Sequence, residues 1–189
     1  MARFISPDAH IHHVRFFEAK HGEEPVTGIS AALAGQLVLT SLHSSNAAGT
    51  IERLAELGMK RHAVATGLSG VLAQRLVRRL CTFCRRPSSL SHFEAQVLGV
   101  PLMSRVYDAG GCSRCGESGY VGRIAIFELM TVSDAIRSAI VESASPVRMA
   151  ELARNCGFEP MVFDGARRAL AGETSVAELR RVLSLDAVQ

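Results

Sequence analysis

Four cysteines stand as two pairs, Cys81-x2-Cys84 and Cys112-x2-Cys115, with 27 residues between the pairs. A two-residue gap lets both thiols of a knuckle turn toward one centre, and two knuckles supply the four soft ligands of a closed tetrahedral zinc site. The closing loop is longer than in the commonest ribbons, but closure entropy grows only with the logarithm of loop length. Gly110, Gly111, Gly116 and Gly119 surround the second pair, where a tight knuckle needs positive φ or close backbone approach. Two disulfides or a redox pair are the alternative readings, and the fifth cysteine, Cys156, leaves a secreted disulfide framework with an odd thiol. The pattern shows no open ligand position, so the metal would hold structure rather than perform chemistry.

The chain is globular in composition, with 48% hydrophobic and 21% charged residues. Its longest apolar run falls well short of the ~20 residues of a membrane span. The opening stretch MARFISPDAHIHH has no apolar core of signal-peptide length, so a cytoplasmic location is expected, where reduced thiols suit zinc. The formal charge is only +3, which gives no argument for nucleic acid. Lys20 and Lys60 are the only lysines; the rest of the basic set is arginine, either a fork for phosphate and carboxylate or a consequence of genome composition.

Residues 1–28 are the least regular part, with His10, His12, His13 and His21 read as a solvated loop rather than a metal site. A short helix Ile29–Leu33 is expected to end at Gly35. The apolar run Leu37-Val38-Leu39 then reads as a strand reaching Leu42, buried on both faces of a largely parallel sheet. His43-Ser44-Ser45-Asn46 offers caps for a helix from Ala47 to Gly58. In open α/β sheets a ligand sits beyond the carboxyl ends of strands, which makes the turn 41–46 the expected ligand position. The spacing of Val64, Leu68, Val71, Leu72, Leu76 and Leu80 predicts a second helix over 62–80, ending in Arg75, Arg78 and Arg79 and running directly into Cys81. Between the cysteine pairs, a helix over 91–98 and a strand over 105–107 are expected, followed by a strand over 119–130. The remainder reads as helices: Ser133 capping a segment to Glu142, Ser145-Pro146 opening 147–155, Met161–Leu170 ending at Gly172, and Ser175-x-x-Glu178 as a capping box opening 176–185.

The string Leu37-Val-Leu-Thr-Ser-Leu-His43-Ser-Ser-Asn46, then Leu72-Ala-Gln-Arg-Leu-Val-Arg-Arg-Leu80-Cys81, the cysteine pairs, and Gly119-Tyr-Val-Gly-Arg123-Ile-Ala-Ile-Phe-Glu128 follow one another in order. Together they resemble the secretion ATPase superfamily, and specifically the carboxyl-terminal half of a type II secretion or type IV pilus assembly ATPase of the zinc-containing branch. The resemblance covers about Ala31 to Leu185. It implies an α/β fold, a partial RecA-like P-loop NTPase core at 29–80, a tetracysteine zinc module at 81–118, and a strand plus α-helical subdomain at 119–189. It also implies ATP and magnesium as cofactors, hexameric rings of secretion ATPase subunits, inner-membrane secretion platform proteins as partners, and a cytoplasmic site, peripheral at the inner membrane. His43 falls on the family's histidine box near the nucleotide phosphates, where an imidazole can sense or orient the terminal phosphate. Gln74 and Arg75 fall on an Ala-Gln-Arg-Leu stretch and Arg123 on a Gly-Arg motif. For each arginine a nucleotide or interface role competes with a structural ion pair. Cys81, Cys84, Cys112 and Cys115 fall on the zinc ligands.

The departures set the expected activity. Phosphoryl transfer in this class needs a glycine-rich loop ending in Gly-Lys-Ser/Thr, and neither Glu-Ala-Lys20-His nor Gly-Met-Lys60-Arg provides one. The family's Gly-Glu-Ile-Arg-Asp motif would fall on Phe17-Glu18-Ala-Lys-His21, where only Glu18 matches the catalytic glutamate, as a relic or coincidence. The expectation is a truncated or degenerate motor subunit that does not hydrolyse ATP alone. The alternatives are a non-catalytic assembly or regulatory module that binds a full-length ATPase, or a zinc-ribbon nucleic-acid binder using Arg78, Arg79, Arg85, Arg86 and Arg114. The last has only Phe83 and Tyr120 near the cluster for base stacking.

Overall fold

A computed structural model describes residues 2–4, 14–17 and 24–185, with side chains described from Thr27 to Leu185. Glu18, Lys20 and the four early histidines lie outside the described residues. The chain divides into two compact units, one of residues 1–74 and 128–159, the other of residues 75–127 and 160–189.

The first unit contains β1 (Ala2–Phe4), β2 (Val14–Phe17), α1 (Glu24–Leu33), β3 (Leu37–Thr40), α2 (Ala47–Glu56), α3 (Arg61–Gly67), α5 (Asp134–Val141) and α6 (Pro146–Arg154). Strand β2 pairs with β3 in parallel, Val14 opposite Leu37 and Phe17 opposite Thr40, but among the described residues this is a two-stranded sheet rather than the largely parallel sheet expected. Strand β3 is shorter than expected and only alternately buried: Val38 and Thr40 face inward while Leu37 and Leu39 are half-buried. Helix α1 starts earlier than expected, at Glu24, and the chain turns at Gly35 with φ +82. Ile51 and Leu54 of α2, Val64 of α3, Ile136 and Ile140 of α5 and Met149 of α6 are almost completely buried. The caps follow the chemistry expected of them: Ser133 Oγ accepts from Ile136 N, and Ser145 Oγ accepts from Arg148 N with Pro146 at the first helical position.

The expected helix over 62–80 is corrected. Helix α3 ends at Gly67, and β4 (Gly70–Leu80) follows as an eleven-residue strand. Leu72, Leu76 and Leu80 mimic a helical stripe, but the fully buried apolar positions are Val71, Ala73, Val77 and Leu80, and Leu76 is half exposed. Two glycines within four residues weaken a continuing helix, and sheet partners decide the outcome. Strand β4 lies between β1 and β7 (Tyr120–Thr131), with β1 antiparallel to it so that Ala2, Arg3 and Phe4 sit opposite Ala73, Leu72 and Val71. Arg75, Arg78 and Arg79 therefore lie on a strand and not at a helix carboxyl end, and it is a strand that enters Cys81.

The second unit holds the latter part of β4, β5 (Arg86–Ser88), α4 (His92–Leu98), β6 (Val106–Asp108), a 3-10 turn Ser113–Cys115, the first part of β7, α7 (Met161–Leu170) and α8 (Val176–Leu183). Strands β5 and β6 pair antiparallel, Arg86 opposite Asp108. Ser91 and Glu94 close a reciprocal capping box on α4. Leu98, Val106, Ile126, Ala169 and Leu179 form its interior.

Candidate metal centre and the His43 turn

The four thiols converge. Cys81 leaves the end of β4 and is buried, and its carbonyl accepts from Cys84 N at 3.3 Å and Arg85 N at 3.0 Å, which folds the first knuckle. Cys112 O likewise accepts from Cys115 N at 3.1 Å and Glu117 N at 3.0 Å, folding the second. The knuckles are tied together by Cys81 N donating to Gly119 O at 2.9 Å and by the Arg114 guanidinium lying 3.7 Å from the Phe83 ring centre. Gly110 is required by proximity: a Cβ there would lie 2.1 Å from Cys84 O. Gly119 is required twice over, by φ +75 and by Ala109, whose Cβ would be 2.6 Å away.

The sulfurs fit one ion. Sγ separations are 3.9 Å for Cys81 and Cys112, 3.8 Å for Cys84 and Cys115, and 3.7 Å for Cys112 and Cys115, and all four lie within 4.8 Å of one another. Four sulfurs placed about 2.3 Å from a central zinc make a tetrahedron with edges of about 3.8 Å. The proton chemistry points the same way. Burial, followed by hydrogen bonds from the neighbouring thiols, pushes the Cys84 thiol up to about 12. Burial also opposes ionisation of Cys115, yet hydrogen bonds with the Cys112 backbone and from the Gly119 amide outweigh it and bring that thiol down to about 7. The Cys84 thiol is thus held back from ionising while the Cys115 thiol ionises more readily, and a divalent cation between them would favour the thiolate of both.

Around this cluster sits a second network. Glu178 is fully buried, and its carboxylate accepts from Arg78 N at 3.0 Å, Arg78 Nε at 2.9 Å, Arg78 Nη2 at 2.7 Å, Arg181 Nε at 2.8 Å and Arg181 Nη2 at 2.7 Å. Burial raises its carboxyl, but the hydrogen bonds from Arg181 and Arg78 prevail and hold it at about 2. Arg78 also lies 4.1 Å from the Tyr120 ring centre, and the Tyr120 hydroxyl meets Ser175 Oγ at 2.7 Å. The start of α8 is thus bonded to the strand that enters the cysteines and the strand that leaves them. The capping box expected at Ser175 and Glu178 forms by half: Ser175 Oγ accepts from Glu178 N, while the Glu178 carboxylate serves the two arginines.

In the first unit, His43 is exposed in the turn between β3 and α2. Asn46 caps α2, its Oδ1 accepting from Gly49 N at 2.7 Å, and Ser44 Oγ donates to Asn46 O at 2.8 Å. The first amide of the helix, Ala47 N, donates to Glu128 Oε1 at 2.6 Å. Arg75 and Arg123 are exposed on β4 and β7 in the second unit, so His43 belongs to one compact unit and both arginines and the cysteines to the other. The bonding roles of Glu128 and Glu178 escape a reading of the sequence. Glu128 carries a usable signal: an acid between Ile126 and Met130, on the phase of β7 that faces inward, needs a donor when buried.

A mixed α/β fold with a tetrathiol cluster at the end of a long strand defines a class, and similarity to known proteins places the chain within it. It belongs to the type II/IV secretion system protein family, whose model matches residues 19–181. Type II secretion system protein E of Dickeya dadantii (strain 3937) is 39% identical over 167 residues, covering 87% of this chain and 33% of the relative. The type IV pilus assembly ATPase PilB of Thermus thermophilus is 40% identical over 170 residues, covering 86% of this chain and 19% of the relative. This chain thus spans a third or less of these two relatives' lengths. In fold it matches the pilus retraction motor PilT, crystallised with bound ADP, with a TM-score of 0.58 at 19% identity over 89% of this chain and 39% of that one. The Legionella pneumophila ATPase DotB gives a TM-score of 0.56 at 18% identity over 92% of this chain and 38% of that one. Among the described residues no helix is long and apolar enough to cross a membrane.

Proposed function

We propose that this chain serves a type II secretion or type IV pilus assembly ATPase motor as a non-hydrolysing portion: a zinc-stapled module joined to part of a nucleotide-binding core. The observation that carries the reading is the convergence of four thiols at tetrahedral spacing inside a chain that is 39% and 40% identical to two proteins of those systems. Cys81, Cys84, Cys112 and Cys115 would hold zinc, which supplies a structural cross-link when bound. His43, exposed just beyond the carboxyl end of β3, is the residue offered to the phosphates of ATP and its magnesium. Arg75 and Arg123 remain candidates for nucleotide or subunit contact, and Glu18 for a relic of the catalytic carboxylate. In this reading the partners are other subunits of a hexameric ring and the inner-membrane platform, with the chain working on the cytoplasmic side.

Hydrolysis by this chain alone is not expected, because its residues include no Gly-Lys-Ser/Thr loop to cradle the phosphates. The purified chain incubated with ATP and magnesium should release phosphate at the rate of the protein-free blank. Steady turnover that stops on chelation of magnesium would overturn the proposal.

A further inference from the structure

Glu128 is a buried carboxylate, 7% exposed, on a strand whose neighbouring inward residues are the apolar Ile126 and Met130. Burying a carboxylate is costly unless donors satisfy it. Here one donor comes from 81 residues away: Ala47 N, at 2.6 Å, the first amide of α2. This amide has no acceptor within its own helix, and the N-terminal end of the helix dipole favours a negative charge beside it. The hydrogen bond is short, as charge-assisted ones are.

Four residues before Ala47 stands His43. Asn46 Oδ1 takes Gly49 N, Ser44 Oγ and Thr50 Oγ1 both donate to Asn46 O, and Glu128 takes Ala47 N, so side chains hold the backbone at Asn46 O, Ala47 N and Gly49 N. Two of these holds are local; Glu128 is the one anchored outside the turn. We propose that Glu128 is a positioning residue for the His43 turn: it holds the first amide of α2, fixes where the imidazole is presented beyond β3, and closes that helix end to any other anion. This rests on the assignment of His43 to nucleotide phosphates only for its purpose; the positioning itself stands on the geometry. It follows that a phosphate brought to this turn meets the exposed His43 imidazole and not the Ala47 amide.

The test is made on the isotope-labelled full chain by nuclear magnetic resonance, independently of ATP turnover. In the native chain the Ala47 amide should exchange with solvent at least about tenfold more slowly than an uncapped first-turn amide, and inorganic phosphate at about 10 mM should leave its signal unmoved. In Glu128→Gln, which keeps an acceptor oxygen but not the charge, Ala47 protection should fall about three- to tenfold, with a shift of the His43 ring signals, while Leu54 at the far end of α2 keeps its protection. Glu128→Leu should lose the Ala47 protection altogether. An unprotected Ala47 amide in the native chain, its displacement by phosphate, or His43 signals identical in the native chain and a folded Glu128→Gln would overturn the proposal. Should both variants fail to fold, the two measurements on the native chain still decide it.

Discussion

Replacing Glu178 by glutamine removes one charge and little volume, and its cost follows from the carboxyl's proton affinity. The folded value is about 2 against an ordinary 4.5. A depressed carboxyl contributes stability that is fully present above the unfolded value and is lost as pH falls through the folded one. A tenfold change in proton affinity is worth about 1.4 kcal/mol, so the ionised form is favoured by about 3 kcal/mol at neutral pH and by progressively less below pH 4, as the folded carboxyl approaches its own protonation. The neutral-pH figure is an upper bound, because Arg78 and Arg181 are 44% and 60% exposed and regain water when their partner goes. Urea unfolding of the native chain and Glu178→Gln, with zinc present in both, should differ by roughly 2 to 3 kcal/mol at pH 7, and the gap should narrow below pH 4. A difference under about 1 kcal/mol at pH 7 would reduce the network to a surface ion pair, and a gap that widens on acidification would reverse its sign; either contradicts the buried-carboxylate picture.

Other substitutions probe neighbouring links. Gly110→Ala drives a methyl against Cys84 O and should abolish metal binding at one equivalent of zinc. Gly122→Ala, well away from any heavy atom but at φ +72, should lower stability by about 1 kcal/mol without loss of metal, both outcomes being read by metal analysis and thermal melts. Asn46→Ala removes the cap of α2 and should cost about 1 kcal/mol in a urea titration, with Gly49 as the amide whose exchange accelerates most.

Much of this architecture follows from local chemistry. The cysteine spacing foretells their convergence, Ser133, Ser145 and Asn46 cap where their hydroxyls and amide fall before apolar helical runs, and Gly172 stops α7. What local patterns could not show are features settled by distant partners. Leu72, Leu76 and Leu80 are spaced as on a helix, yet β1 and β7 flank this segment and draw it into a sheet. Ser175 and Glu178 have the spacing of a capping box, yet the carboxylate turns to Arg78, a hundred residues earlier, because a buried charge gains more from two guanidinium forks than from one helix amide. Glu128 is the same case in the first unit: an acid in an apolar strand announces that it needs a donor, but only the fold identifies Ala47 as that donor.

Closure of two distant knuckles on one structural ion, within a chain of the type II/IV secretion system protein family, can be read from X-ray absorption at the zinc edge on the purified, zinc-loaded full chain. One zinc per chain is expected, with four sulfur neighbours at about 2.3 Å and no nitrogen or oxygen bound to the metal. A chain that retains no zinc, or a metal held by two sulfurs and completed by water, would contradict this closure.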